Sequence, residues 1–241
     1  AIKVVYDNYH HPGCGDCETG WGFACVVQGL DKTILFDTGA DAPTLLANMK
    51  RLGLDPAEID VVVLSHFHAD HTGGLGGFLE RNAGVTVYVL SDYPADFRKA
   101  LAARAKGVEV ADSPTEICPG AHTLGRMGTS IPEQSLVLRT PGGLIVITGC
   151  AHPGIVEIVA RAKKTFGGEV HAVLGGFHLK GESEAGIRNV IEGIDELGVQ
   201  RAGPCHCSGE HARKQFAREL GDRYVEVGVG WRSQGVLGAA P

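Results

Sequence analysis

The sequence predicts an α/β fold in which strands and helices alternate along the chain. Short apolar runs rich in β-branched residues, such as 61–64, are typical of buried strands. They alternate with segments such as 184–197, in which apolar residues recur three and four positions apart, as on one face of a helix. Ligand sites of α/β proteins gather at the ends of strands. Four predicted strands end in histidine-bearing segments, which contain His66, His68, His71, His152, His178 and His206.

The first part of the chain is expected to form three strands. Residues 2–6 are apolar and form the first. The runs at 21–28 and 33–36 are expected to pair through a turn at 29–32, which begins with glycine. The triplet Asp37-Thr38-Gly39 follows the third strand.

A helix over 43–52 comes next, because Asp41 can cap its start and Gly53 can end it. Pro56 favours a short turn of helix at 55–58. The glycine pairs after the 61–64 strand allow the following helix to begin close against the histidine-rich loop. The remaining elements of this half are a helix at 75–81, a strand at 85–90, a helix at 94–106, and strands at 108–111 and 122–124.

The second half begins with the irregular segment 125–134, whose Arg126 either meets an anionic substrate or lies on a surface loop. Strands at 135–139 and 143–148 are joined by a Thr-Pro-Gly turn. Then follow a helix to about residue 164, a strand at 170–174, the helix at 184–197, a strand at 199–202, a helix with Ala212, Phe216 and Leu220 on one face, and a closing strand at 224–229.

Composition limits the class of protein. The chain has 241 residues, 44% of them hydrophobic and 21% charged, and a net charge of −6. That charge argues against a nucleic-acid partner, which normally meets a basic face. No run approaches the roughly 18 apolar residues of a membrane span. Seven cysteines without regular spacing do not indicate a disulfide framework, and the first residues lack a signal-peptide pattern, so we expect free thiols and a cytoplasmic location.

Four candidate metal ligands directly follow the 61–64 strand: His66, His68, Asp70 and His71. On a tight loop their side chains can converge. Imidazole nitrogens with a carboxylate suit zinc, and also iron or manganese. So dense a cluster favours a metal site over a solvated polar turn.

A second cysteine and histidine cluster lies near the start, where Cys14-x-x-Cys17 follows His10 and His11. It either binds a structural zinc ion or forms a surface loop near the mouth of the active site. No second pair of ligands stands beside it, which favours the loop.

Five motifs together resemble one family. They are Asp-Thr-Gly at 37–39, Leu-Ser-His-Phe-His-Ala-Asp-His-Thr-Gly-Gly-Leu at 64–75, Thr-Gly-Cys-Ala-His-Pro-Gly-Ile at 148–155, Gly-Gly-Phe-His-Leu at 175–179 and Pro-Cys-His-Cys-Ser-Gly at 204–209. As a set they resemble the metallo-β-lactamase superfamily, and within it the branch that includes the archaeal dihydropterin synthases of methanopterin biosynthesis. The resemblance implies a four-layer αββα sandwich with the metal site at one edge between two sheets. It also implies a single domain over 1–241, with similar halves near 1–125 and 126–241.

The resemblance also implies roles for individual residues. His66 and His68 would bind one metal ion, Asp70 and His71 a second, and Asp37 would support a ligand histidine from behind. The final ligand of the second site corresponds to His206. Cys150 stands where the family usually has a bridging aspartate, and is either a ligand or a small buried residue at a strand end. His152 is the substitute third ligand of the first site.

The function implied is that of an enzyme with two divalent metal ions, zinc first, with manganese or iron open. Asp70 could also accept a proton, and His178 could act as a general acid or donate to a phosphate. The reaction would be hydrolysis of a small phosphorylated or anionic substrate, or a dihydropterin-synthase-type condensation that releases diphosphate. An iron-dependent thiol or oxygen redox enzyme and a non-catalytic metal-bound sensor are the alternatives. The expected partner is a small molecule, with no nucleic acid and no membrane, and the oligomeric state is open.

Overall fold

The computed structural model describes residues 1–233 of the chain. It contains twelve strands in that range, which are β1 (Ile2–Tyr6), β2 (Ala24–Val27), β3 (Ile34–Phe36), β4 (Val61–Val63), β5 (Thr86–Val89), β6 (Gly107–Val110), β7 (Thr115–Cys118), β8 (Ala121–Thr123), β9 (Leu136–Thr140), β10 (Gly143–Thr148), β11 (Val170–Gly176) and β12 (Arg201–Cys205). The α-helices are α1 (Ala42–Arg51), α2 (Ala69–Thr72), α3 (Leu75–Arg81), α4 (Ala95–Ala102), α5 (Ile155–Phe166), α6 (Glu184–Glu196) and α7 (Gly209–Leu220). Within this range no helix is both long enough and apolar enough to cross a membrane.

The strands form two six-stranded sheets, ordered β1-β2-β3-β4-β5-β6 and β12-β11-β10-β9-β8-β7. In the first sheet β1 to β3 are antiparallel and β3 to β6 run parallel. In the second, β7 to β10 are antiparallel and β10 to β12 parallel. Each sheet therefore contains a parallel part, and the carboxyl ends of neighbouring parallel strands lie at one edge.

Three apolar clusters order these sheets into layers. The central cluster joins residues of both sheets, for example Phe36 and Ile147. A second packs α1 and α3 against the first sheet, and a third packs α5, α6 and α7 against the other. The order is therefore helix, sheet, sheet, helix, which confirms the predicted αββα sandwich.

The prediction of a closing strand at 224–229 is wrong. Tyr224 makes only an isolated bridge to Ala202, and Val229 only one to His10. The segment passes from the edge of the second sheet to the edge of the first, so neither sheet can pair with all of it. Two elements were not predicted from the sequence: β7, a short edge strand, and α2, which has four residues.

The expectation of free thiols is wrong for two cysteines. Cys14 and Cys17 form a disulfide, with their Cα atoms 5.5 Å apart, so neither is available for a structural zinc site. Both are buried and pack against Val229, so this loop is anchored rather than solvated. The other five cysteines are free and buried.

Candidate metal centre

The predicted site residues meet at one edge of the sandwich. Loops that follow β4, β10, β11 and β12 carry them there, because these strands end at the same edge of their sheets. The structure places all of the predicted ligands in overlapping groups whose donor atoms lie within 4.8 Å of one another: His66, His68, Asp70, His71, Cys150, His152 and His206.

The first group consists of three imidazoles, those of His66, His68 and His152. Nε2 of His66 lies 3.0 Å from Nδ1 of His68. Two nitrogens on one tetrahedral zinc ion, each at 2.0–2.1 Å from it, lie roughly 3.3 Å apart. The donor atoms of the three imidazoles all lie within 4.8 Å of one another, so the group is compact enough to hold one zinc-sized ion.

The second group consists of Asp70, His71 and His206. Oδ2 of Asp70 lies 3.3 Å from Nε2 of His206 and 3.7 Å from Nε2 of His71. His206 is fully buried, and its Nε2 has no hydrogen-bond partner among residues 1–233. A buried unpaired nitrogen is costly. A cation held between these three side chains would satisfy it, so the donor set fits a metal ion.

Cys150 lies between the two groups. Its Sγ is 3.2 Å from Nε2 of His71, and the thiol also belongs to a group with His66. Cys150 is also buried, so its position is compatible with both predicted roles, a ligand or a small residue packed at a strand end. Cys207, which the sequence analysis did not select, lies close behind: it forms a further buried group with Cys150 and His206. A Cβ on Gly176 would come within 2.7 Å of the Cys207 sulfur, so glycine there makes room for the thiol.

Asp37 makes the contact expected of it. Its Oδ2 accepts a hydrogen bond from Nδ1 of His71 at 2.7 Å, which leaves Nε2 of that ring facing the centre. The same carboxylate accepts from the backbone and hydroxyl of Ser65, and the Ser65 hydroxyl in turn contacts Nδ1 of His66 at 2.9 Å. Burial raises the pKa of Asp37 to about 7, against the lowering effects of His66 and Ser65.

Glu133 is a residue of the site that the sequence analysis missed. Its fully buried carboxylate accepts hydrogen bonds from the backbone amides of residues 149–152 and from Nδ1 of His152 at 2.9 Å. Burial favours a raised pKa, but the hydrogen bond from His152, the charge of His66 and the amides outweigh it and hold the pKa of Glu133 far below its ordinary value. No local signal distinguished this glutamate, since its partners lie on a distant loop.

Asn8 was missed for the same reason. Its Oδ1 lies 3.0 Å from Nδ1 of His206, and its Nδ2 donates to the carbonyl oxygen of the same histidine at 2.9 Å. One asparagine therefore fixes both the ring and the backbone of His206. A short motif could not have indicated it, because the two residues are 198 positions apart.

Burial also keeps the inner imidazoles neutral. It lowers the pKa of His66 to about 3, with His71 adding to the effect, and it lowers the pKa of His71 to about 3, with His206 adding to it. Neutral imidazole is the form that binds a metal ion. Both rings are thus in the binding form at neutral pH.

The loops of the site hold strained backbone. Within residues 1–233, all four non-glycine residues with positive φ lie here: Asp37 (56°), Ala151 (61°), His178 (54°) and His206 (46°). Such conformations cost of order 1–3 kcal/mol each and persist only where the surroundings enforce them. Such a concentration at one place is typical of a functional site.

The mouth of the site carries His178, Trp21 and Lys180. His178 is exposed, with its ring centroid 4.6 Å from that of His152, and a hydrogen bond to Cys207 raises its pKa. The Trp21 ring packs against His206 at 5.1 Å, and Nζ of Lys180 lies 4.4 Å from the centre of the Trp21 ring. An exposed imidazole, an aromatic ring and an ammonium group therefore line the entrance.

Comparison with known proteins agrees with this geometry. The sequence profile of the metallo-beta-lactamase superfamily matches residues 22–165, more than half of the chain. The chain is 30% identical to the 7,8-dihydropterin-6-methyl-4-(beta-D-ribofuranosyl)-aminobenzene-5'-phosphate synthase of Methanocaldococcus jannaschii, over 95% of this chain and 94% of that protein.

Solved structures give the same result. A metal-dependent hydrolase of the beta-lactamase superfamily superposes with a TM-score of 0.78 at 31% identity, over 93% of this chain and 94% of the other. YhfI of Bacillus subtilis, a metallo-beta-lactamase fold protein, has a TM-score of 0.66 at 14% identity over 96% and 98% of the two chains, and shows the shared fold alone. The chain belongs to the metallo-β-lactamase superfamily.

Proposed function

We propose that this chain is a metal-dependent enzyme with two divalent metal ions, zinc first, that acts on a small anionic substrate. The observation that carries the proposal is the pair of adjoining ligand groups, three imidazoles on one side and Asp70, His71 and His206 on the other. Members of the superfamily bind metal ions, typically zinc. Cys150, whose thiol lies between the two groups, would help to hold the ions, and a sulfur ligand favours zinc or iron over manganese.

Different residues of the site would have different roles in the reaction. When bound, the ions would supply Lewis-acid stabilisation of negative charge on oxygen atoms of the substrate and its leaving group. Asp70 holds its carboxylate beside His71 and His206 and can take up a proton there. The exposed ring of His178 faces the entrance, where it can donate a proton or a hydrogen bond to a phosphate.

The entrance supports an anionic substrate. Lys180 has no carboxylate within ion-pair distance in the described part of the chain. Its ammonium group lies over Trp21, next to the candidate ligand His206. A cation held there is suited to the remote charge of a phosphorylated molecule.

The relative with 30% identity favours one version of this chemistry. It is named as a synthase whose product contains a pterin, an aminobenzene and a phosphate. In a transfer of that type the centre would hold a departing diphosphate, whereas in a hydrolase the same centre would hold a phosphate ester. We propose transfer with diphosphate release as the first reaction to test, and hydrolysis as the second, both in the cytoplasm.

The direct experiment measures diphosphate and phosphate release by zinc-loaded and manganese-loaded protein. The substrates are a hydroxymethyl-dihydropterin diphosphate, with and without a ribofuranosyl-aminobenzene phosphate, and a simple phosphate ester. We expect release that a chelator abolishes and added metal restores. Release that requires the aminobenzene compound assigns transfer, and release without it assigns hydrolysis.

His206→Ala should lower turnover at least about 100-fold while the protein stays folded. His211→Ala, an exposed histidine on α7, is the matched control and should retain full turnover. If no loaded form releases phosphate or diphosphate, and the iron-loaded protein instead consumes oxygen with a thiol, the redox alternative replaces this proposal. Tight binding of a small molecule without any turnover would favour the sensor.

A further inference from the structure

Beside the metal centre lies a cleft that the proposed chemistry does not use. We propose that this cleft, walled by Phe67, Tyr93, Ile131 and Pro132, is the subsite for an aromatic ring of the substrate. The inference rests on the proposed function, because it takes the anionic group of the same substrate to lie at the metal centre.

The cleft adjoins the candidate ligands directly. It has a volume of about 190 Å³, and His68, a member of the first ligand group, forms part of its wall. Phe67 stands in the sequence between His66 and His68, so its position is fixed by the same loop. A molecule bound to an ion at His68 would therefore lie next to this cleft.

The aromatic side chains of the cleft are arranged edge to face. The Phe67 ring centroid lies 5.2 Å from that of Tyr93 at 63°, and 4.9 Å from that of Phe97 at 66°. Tyr93 is buried, whereas Phe67 is 42% exposed. One face of Phe67 is thus supported from behind, and the other remains open to a further ring. Such ring pairs prefer these tilted geometries at 4.5–7 Å and contribute beyond the area that they bury.

Exposure of Phe67 is unusual for this chain. Only three large apolar side chains are classed as exposed among residues 1–233, namely Trp21, Phe67 and Val110. Two of the three flank the candidate ligands: Trp21 packs against His206, and Phe67 lines the cleft together with its neighbour His68. Exposed aromatic surface at a binding site is typical of a surface that a ligand covers.

The opposite wall of the cleft is held in place. Arg126 pairs with Asp92 through two contacts, Nε to Oδ2 at 2.6 Å and Nη2 to Oδ1 at 3.0 Å, and donates to the carbonyl oxygen of Gly128. These contacts hold the Arg126 guanidinium in the wall of the cleft, so it is not available to bind a substrate anion. Met127 and Glu133 bridge the two ends of the segment, so the segment that presents Ile131 and Pro132 also carries the carboxylate that positions His152.

The size of the cleft suits one ring. A cavity of about 150 Å³ is sufficient for benzene, whereas whole drug-sized ligands need about 300 Å³ or more. The cleft is therefore a subsite and not a complete pocket. Its rim carries the Asp92 carboxylate, which can accept a hydrogen bond from an amino group on the ring.

The test compares two non-hydrolysable anions that differ only in the ring. Isothermal titration measures the Kd of the zinc-loaded protein for phenylphosphonate and for methylphosphonate. We expect phenylphosphonate to bind at least about tenfold more tightly. Phe67→Ala should reduce this ratio to about threefold or less, while methylphosphonate binding stays unchanged.

Ile131→Ala is the second variant, since it alters the opposite wall and touches no candidate ligand, and Val110→Ala is the control. Zinc content is measured for each protein. Equal affinities of the native protein for the two phosphonates, or a ratio that both wall variants retain, would overturn the ring subsite and leave the proposed function standing. If the zinc-loaded protein binds neither anion, the proposed function fails and the subsite with it.

Discussion

Each buried imidazole of the centre is fixed by one acceptor on its Nδ1 side. Nδ1 of His71 contacts Asp37, that of His66 contacts the Ser65 hydroxyl, and that of His152 contacts Glu133. Asn8 does the same for His206. With the proton held at Nδ1, each Nε2 carries a free lone pair that points into the centre. The tautomers are therefore set before any ion binds.

Glu133 is the residue at which this arrangement can best be tested. Glu133→Gln keeps the size of the side chain but replaces one acceptor oxygen with an NH₂ group that faces backbone amide donors. We expect the protein to remain folded and its affinity for zinc to fall roughly 10–100-fold, the usual loss when a partner behind a ligand is changed. Competition with a coloured chelator measures the affinity.

Glu169→Gln is the matched control for this variant, because Glu169 is exposed and lies on the turn before β11. It should leave zinc affinity unchanged. If Glu133→Gln bound zinc as tightly as the control, the carboxylate would have only a structural role in the 149–152 loop.

Residue spacing explains which site residues could be predicted. His66, His68, Asp70 and His71 are close in sequence, and a short loop forces such neighbours together, so their spacing alone was informative. Glu133 contacts a residue 19 positions away. Contacts of this kind depend on how the sheets pack, which no local pattern records. Cys207 was missed for the same reason, because its contact with Cys150 joins residues 57 positions apart.

At the level of elements, close backbone contact places the loops of the site. A Cβ on Gly73 would overlap the carbonyl oxygen of Ala40, and one on Gly74 would overlap that of Thr38. The end of α2 therefore lies directly on the loop after β3. That contact is what brings His71 within reach of Asp37, as the backbone hydrogen bond from Thr38 to the carbonyl of His71 also shows.

Gly73→Ala should consequently destabilise the protein by about 2–3 kcal/mol, because backbone atoms must move to admit the methyl group. Gly76→Ala is the control on α3, where the nearest atom to an added Cβ is the side-chain Nη1 of Arg104 at 3.7 Å. It should be neutral, or stabilising by up to about 1 kcal/mol through helix propensity. Urea unfolding measures the stability of both variants. Equal stabilities would show that the loop after β3 can move to admit the methyl group without destabilising the protein.

Most elements could be predicted because their local pattern agrees with their packing. The helix at 75–81 and the strands at 2–6 and 143–148 have the predicted bounds, since clear apolar periodicity and turn residues delimit them. The 224–229 segment has the apolar composition of a strand, but it is divided between two sheet edges. Composition cannot indicate such a division.

For the whole molecule, one buried carboxylate behind the site makes stability depend on pH. Asp7 follows β1, is fully buried, and has an unpaired Oδ2. Burial raises its pKa from 3.8 to about 6, against the lowering effects of Cys205, the Tyr9 amide, His206 and Arg213. The folded state therefore favours the protonated acid, and the stability that this group contributes is lost as pH rises from about 4 to above 6.

Asp7→Asn removes this titration. Relative to the native protein, the variant should gain stability as pH rises from 4 to 7, by up to about 3 kcal/mol for a pKa difference of this size. Urea unfolding of metal-free protein at several pH values measures the difference, with the exposed Asp222→Asn as control. A difference that does not change with pH would show that Asp7 is charged in the folded protein at pH 4 as it is at pH 7.

The proposal requires that the two sheets bring together two adjoining sets of ligands, one for each of two metal ions. Metal analysis of the zinc-reconstituted chain, prepared without oxygen, tests it most directly. We predict about two zinc ions per native chain and about one in each of His152→Ala and His206→Ala, which each remove one ligand from one set. A native chain that holds one zinc ion or none, or variants that both retain two, would contradict the account.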